Sequence, residues 1–186
     1  MGKHYIQFDE LEDVLTSVDL IALTAPLARA NPSYWKWIIV GAQNGFQGAM
    51  VCLLSGTNGI GVLDKKSAKK VLAWHENERG PYPAERLADF EELLGRCTNR
   101  PIGKSLTLTE SELQDIKKLH GVLRNNFAHF RPQGWSIERA GLPRIVSVAL
   151  SGIEQLMFGD DLSYKLSGNR KRRLQKGIDL ARRAMP

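Results

Sequence analysis

The sequence predicts an all-α fold on three observations. Apolar residues recur at spacings of three and four along most of the chain, and the segments they mark open on capping residues and close on glycine or proline. No stretch of comparable strength alternates apolar and polar residues as a half-buried strand does. The expected architecture is a single-domain helical bundle of four or five main helices with shorter additions. Residues 1–167 are expected to form the bundle and residues 168–186 a basic C-terminal helix or tail, packed on it or extending from it. The length fits: 186 residues with 42% apolar side chains suffice for one core and are too few for two comfortable ones.

Taken in order, the first periodic segment runs from Asp9 to Ala30, with Leu11, Val14, Leu15, Val18, Ile21, Ala22 and Ala25 on one stripe and acidic Glu10, Glu12 and Asp13 in the first turn. Asn31-Pro32 then reads as an N-cap with proline at the first helical position, starting a second helix that ends near Gly56. Trp37 to Leu54 within it are 18 residues without a charge, long enough to raise a membrane span. Gln43, Asn44, Gln47 and three glycines near its middle argue instead for a buried central helix, with Gly41, Gly45, Gly48 and Ala49 allowing a neighbour's backbone to approach. Gln43 and Gln47 share a face and suit hydrogen bonding between core helices.

Gly56-Thr57-Asn58-Gly59-Ile60-Gly61 is a turn-rich connector, since no Gly-Lys-Ser/Thr follows at phosphate-loop spacing. Asp64 can cap a helix through Glu78 that carries Lys65, Lys66, Lys69 and Lys70 and is stopped by Arg79-Gly80-Pro81. A short helix is expected from Ala84 to Arg96. Thr109-Glu110-Ser111-Glu112 has the form of a capping box, opening a helix through Leu113, Ile116, Leu119, Leu123 and Phe127 that Arg131-Pro132-Gln133-Gly134 breaks. Ala140 to Phe158 and Asn169 to Met185 complete the set.

Composition excludes a disordered, collagen-like or disulfide-stapled chain. Cys52 and Cys97 cannot build a framework and lack metal-ligand spacing, and the N-terminus leads into acidic residues rather than an apolar signal core, so a reducing cytoplasm is the expected location. The net charge is +6. Residues 1–63 carry 3 basic and 5 acidic side chains, residues 64–118 carry 11 and 10, and residues 119–186 carry 12 and 5. The basic excess therefore lies in the last third, which suits either a polyanionic partner or a solvated basic helix.

Several catalytic patterns fail on spacing. His75-Glu76 opens like a zinc-protease helix, but Arg79 occupies the position of the second histidine; Glu91-Glu92 and Asp160-Asp161 diverge; and no serine sits in a nucleophile elbow. Neither a metal nor a cofactor is called for. The segment Leu123 to Pro132 is different. On a helical wheel of about 100° per residue with His120 at zero, Leu119, Leu123, Phe127 and Phe130 gather around roughly 300° and define a buried face. Arg124 falls near ~40°, at the edge of that face, and Asn125 and His129 near ~140° and ~180°, with small Gly121 and Ala128 between the two walls. His120, next to the apolar face, reads as structural, whereas His129 points away from the core.

Arg124-Asn125-x-x-x-His129 resembles the signature of the HEPN superfamily, an arginine followed four to six residues later by histidine, with a polar residue beside the arginine, near the end of a long helix in an all-α domain. The resemblance implies a metal-independent endoribonuclease of the toxin–antitoxin, abortive-infection or other phage-defence type, acting as a homodimer whose two motifs share one cleft. It assigns acid/base chemistry to His129, phosphate binding to Arg124, and orientation of the phosphate or the histidine to Asn125. The residues suit such work: imidazole titrates near neutrality, guanidinium matches two phosphate oxygens, and a ribose 2′-hydroxyl supplies the nucleophile. Further candidates for RNA contact are Arg131, which either touches a phosphate or complements the helix end, and Trp135, which either stacks on a base or anchors the following loop. Arg170, Lys171, Arg172 and Arg173 either follow an RNA backbone or form a solvated helix. The alternative is a non-catalytic HEPN-like module binding RNA, a nucleotide or a nucleotidyltransferase antitoxin.

Overall fold

The computed structural model describes residues 4–129, 132, 134–159, 162, 164–166 and 168–186. It is all-helical: α1 (Glu10–Thr24), α2 (Leu27–Ala30), α3 (Trp35–Ser55), α4 (Lys65–Asn77), α5 (Phe90–Thr98), α6 (Glu110–Lys118), a π-helical segment (Leu119–Arg124) running directly into α7 (Asn125–Ala128), α8 (Leu142–Met157) and α9 (Gly168–Ala184).

Side-chain caps set the starts of α1, α4, α5 and α6. Asp9, Asp64, Asp89 and Thr109 each accept a hydrogen bond from a backbone N–H three residues on, satisfying one of the four donors that a helix start leaves open. At Thr109 the box is complete, because Glu112 Oε2 accepts in turn from the Thr109 N–H at 2.8 Å.

Two boundaries differ from the sequence reading. The first helix stops at Thr24 rather than Ala30, because Pro26 has no N–H to donate and its ring crowds the preceding turn; the single turn of α2 follows. Residues 84–89 are extended rather than helical. Asp64 N–H donates to the Arg86 carbonyl at 2.8 Å and Ala88 N–H to the Val62 carbonyl at 2.9 Å, so this stretch pairs with the chain beside Leu63 before Asp89 starts α5.

Helix α3 is the axis of the bundle, with α1, α8, α5 and the π segment packed around it. Its Ile38, Ile39, Phe46 and Met50 are fully buried in one core with Leu15 and Ile21 of α1, Ile145 of α8, Leu93 of α5, and Leu119 and Leu123. The small residues do as their spacing implies. A Cβ at Gly41 would lie 2.9 Å from the Ser17 carbonyl oxygen, so α1 crosses α3 almost backbone to backbone; one at Gly152 would lie 2.3 Å from the Phe46 ring. Pro32–Ser55 is long and apolar enough to cross a membrane, and 67% of its apolar window is buried by the other helices. Helix α9 lays Leu174, Gly177, Ile178 and Ala181 inward against the bundle, chiefly on α1.

Candidate active site

The π segment decides how the motif is presented. Its hydrogen bonds reach five residues back instead of four, so each residue advances the helix by less than 100° and the uniform wheel no longer holds beyond Leu119. The helix then ends at Ala128. His129 adopts extended angles (φ −110°, ψ 97°) while its N–H still closes the last turn onto the Asn125 carbonyl at 2.9 Å. The π segment turns Arg124, Asn125 and His129 together relative to the bundle, and the extended backbone of His129 brings its side chain back to Arg124, which the wheel places about 140° away. Arg124 Nη1 donates to Asn125 Oδ1 at 3.0 Å and to His129 Nε2 at 3.4 Å, and Asn125 Nδ2 donates to the Gly121 carbonyl at 3.2 Å.

This arrangement gives each residue a physical role. Asn125 is fixed by the π-turn carbonyl and holds the arginine, rather than holding the histidine. Arg124 is half-buried and His129 exposed, so the fork is supported from below and open above. Accepting from a permanently charged guanidinium leaves the Nε2 lone pair, not an Nε2 proton, facing the arginine. The first half of the arrangement is thus a cation with most of its N–H groups unengaged among the described residues, and the second an imidazole beside it.

His120 lies one turn earlier and is structural. Its ring stacks on Phe90 with centroids 4.0 Å apart and planes 4° from parallel, and its Nδ1 is 3.0 Å from Gln43 Nε2. Burial, helped by the Arg124 charge, holds its pKa below the ordinary histidine value, so it is neutral and accepts from the amide. Gln43 also donates to Gln47 Oε1 at 3.3 Å within α3, so of this pair Gln43 makes the link to a neighbouring helical segment, through His120.

The other candidates are dispersed. Trp135 packs edge-on against Phe127 at 4.8 Å and is 41% exposed, tying the 134–139 stretch to the end of α7. Arg131 lies outside the described residues. In α9, Arg170 pairs with Asp9 at 3.0 Å, Arg173 with Glu12 at 2.5 Å and Asp19 at 2.7 Å, and Arg182 with Glu154 at 2.8 Å. Arg172 donates to Asn169, and Lys171 lies over the Phe158 ring. Helix α9 is therefore not simply solvated: Arg170 and Arg173 lie against carboxylates of the chain itself. The reason is the acidic first turn of α1, which lies against it. Burial pushes the Cys52 and Cys97 thiols up to about 12, too high for a nucleophile at neutral pH. Among the described residues no three His, Cys, Asp or Glu side chains are grouped to hold a metal ion.

A polar cleft of about 340 Å³ beside the motif went unread in the sequence. Arg124 forms one wall; Glu10 and Asp13 of α1 and Asn44 and Gln47 of α3 supply the other polar groups, and Gly48, Val51 and Leu87 the rest of the lining. The polar interruptions in an otherwise apolar α3 were its only signal. Against known proteins the chain finds no counterpart: no family, curated protein or solved structure matches it.

Proposed function

We propose that the chain is a metal-independent endoribonuclease of the toxin or phage-defence kind, cleaving RNA through its own 2′-hydroxyl at a site shared by two copies. The observation that carries the proposal is the exposed Arg124–His129 contact at 3.4 Å, braced by Asn125. A phosphate seated on the guanidinium fork lies beside an imidazole nitrogen able to take a proton. When a phosphate takes the guanidinium, the long Arg124 contact to His129 Nε2 is given up and the single lone pair of that nitrogen is freed. Nε2 then accepts the 2′-hydroxyl proton as the 2′-oxygen bonds to phosphorus, and Arg124 balances the charge that builds on the non-bridging oxygens. The bond from phosphorus to the 5′-oxygen breaks, and that oxygen takes up a proton, giving a 2′,3′-cyclic phosphate and a 5′-hydroxyl.

One imidazole that has just accepted a proton is poorly placed to deliver another to the opposite side of phosphorus. A second copy of this chain, bringing its own motif to the same phosphate, supplies the missing acid, and this is the physical ground for a homodimer. Incubation of RNA with the purified protein in EDTA should yield cyclic-phosphate ends, and His129→Ala should lower cleavage by at least about 10² with an unchanged melting temperature. Undiminished cutting by that variant refutes the assignment. Saturable RNA binding without turnover in either protein would instead identify a binding module.

A further inference from the structure

Arg124 is shared between the motif and the cleft of about 340 Å³, which has more than ten times the ~30 Å³ that a water molecule occupies. That is room for a nucleobase. The walls are selective in charge and in hydrogen bonding. Glu10 and Asp13 make the interior hostile to phosphate, whereas Arg124 at its edge attracts one. A nucleotide therefore enters base first, leaving its phosphate on the guanidinium.

The available groups are unusually well defined. Gln47 Oε1 is already engaged by Gln43, so Gln47 presents its NH₂ donors. Neither the Asn44 amide nor the Asp13 carboxylate has a hydrogen-bond partner among the described residues, and Asp13 is half-buried. Gly48 gives this carboxylate its place: a Cβ there would lie 3.3 Å from Asp13 Oδ2. The Asp13 carboxyl is pushed above its ordinary range by burial, the condition of an anion that has lost water and gained no donor.

The cleft thus offers a two-oxygen acceptor next to amide donors. Guanine is the RNA base whose pairing edge matches this, with N1–H and the N2 amino group as adjacent donors and O6 as an acceptor. Adenine and cytosine present a single amino group there, and uracil a single N–H flanked by acceptors. We infer that the cleft is a guanine-recognition site in which Asp13 accepts from N1–H and N2–H, Asn44 and Gln47 donate to O6, and Arg124 holds the attached phosphate beside His129. The base selectivity stands on the cleft alone; its role in directing cleavage rests on the nuclease reading.

Equilibrium binding of the intact protein to GMP, AMP, CMP, UMP and IMP tests it without requiring turnover. GMP should bind at least roughly tenfold tighter than the other three common nucleotides, and IMP, which lacks the N2 amino group, roughly tenfold weaker than GMP. Asp13→Asn should erase the preference, because an amide cannot accept from both guanine donors; Asn44→Ala, at an exposed position, should weaken GMP binding while the protein stays folded. Equal binding of the five nucleotides, or a GMP preference that survives Asp13→Asn in a folded protein, overturns the inference. GMP binding without RNA cleavage keeps the cleft and removes the nuclease, and cleavage indifferent to guanine with no GMP preference does the reverse.

Discussion

The arginines of α9 and Arg124 both belong to the basic last third of the chain, and the fold treats them in opposite ways. Arg170, Arg173 and Arg182 each lie against a carboxylate of α1 or α8, so their charge is balanced inside the molecule and serves to dock a helix. Hydrogen bonding pulls the Arg173 pKa up further, through Glu12 and then Asp19. Arg124 is held by an amide and an imidazole, which aim it without neutralising it. A guanidinium becomes available to an outside anion when its own scaffold puts no carboxylate in direct contact with it: Glu10 and Asp13 line the same cleft, but among the described residues neither pairs with Arg124. Segment-by-segment charge counts cannot see that distinction.

The largest effect expected from this contrast is on His129. His129→Ala should lower RNA cleavage by roughly 10² to 10⁴, the usual worth of a positioned acid or base, with no change in thermal stability. Arg124→Lys keeps the charge and loses the fork, so cleavage should fall by about 10² while RNA affinity changes less. Arg173→Ala should behave as the mirror image. It should lower stability by about 1 kcal/mol, as expected of partly exposed ion pairs, and leave the cleavage rate as it was. If Arg173→Ala instead weakened RNA binding and left the melting curve in place, α9 would be an RNA surface and the contrast would collapse.

The smallest effect concerns acid. The Asp9 carboxyl is held below its ordinary range, first by the Glu12 N–H it caps and then by Arg170. A depressed folded value means that this stabilisation is present above the unfolded value near ~4 and is lost as pH falls through the folded one. The melting temperature should therefore drop below about pH 4, and Asp9→Asn should flatten that part of the profile.

Most of the framework was legible because it rests on local rules. Asp64 and the Thr109 box cap the helices they were expected to cap, Asn31 caps the 3₁₀ turn Pro32–Tyr34 that leads into α3, and the small residues of α3 mark a close crossing. Asp89 was missed as a cap because the extended pairing of residues 84–88 with the stretch around Leu63 depends on partners more than twenty residues away. The motif was legible as residue types, but its geometry was not. A uniform wheel assigns one angle per residue, and neither the π turn nor the extended backbone of His129 is written in apolar periodicity. The cleft escaped for a related reason. Glu10, Asp13, Asn44 and Arg124 come from three separate helical segments, and only packing makes them neighbours.

The widened turn at 119–124 also leaves a mark that can be looked for without any assay of activity. A helix that takes in an extra residue per turn carries its pattern forward out of phase, as a screw thread does past a burr. Tolerance to substitution along residues 110–128 should therefore fall into two intolerant stripes, one before the turn and one after, displaced around the cylinder. Deleting a single residue such as Val122, whose side chain is half exposed, should bring the stripes back into line and carry Asn125 and His129 away from where they now stand. The helix would then be more regular, and the site would be gone.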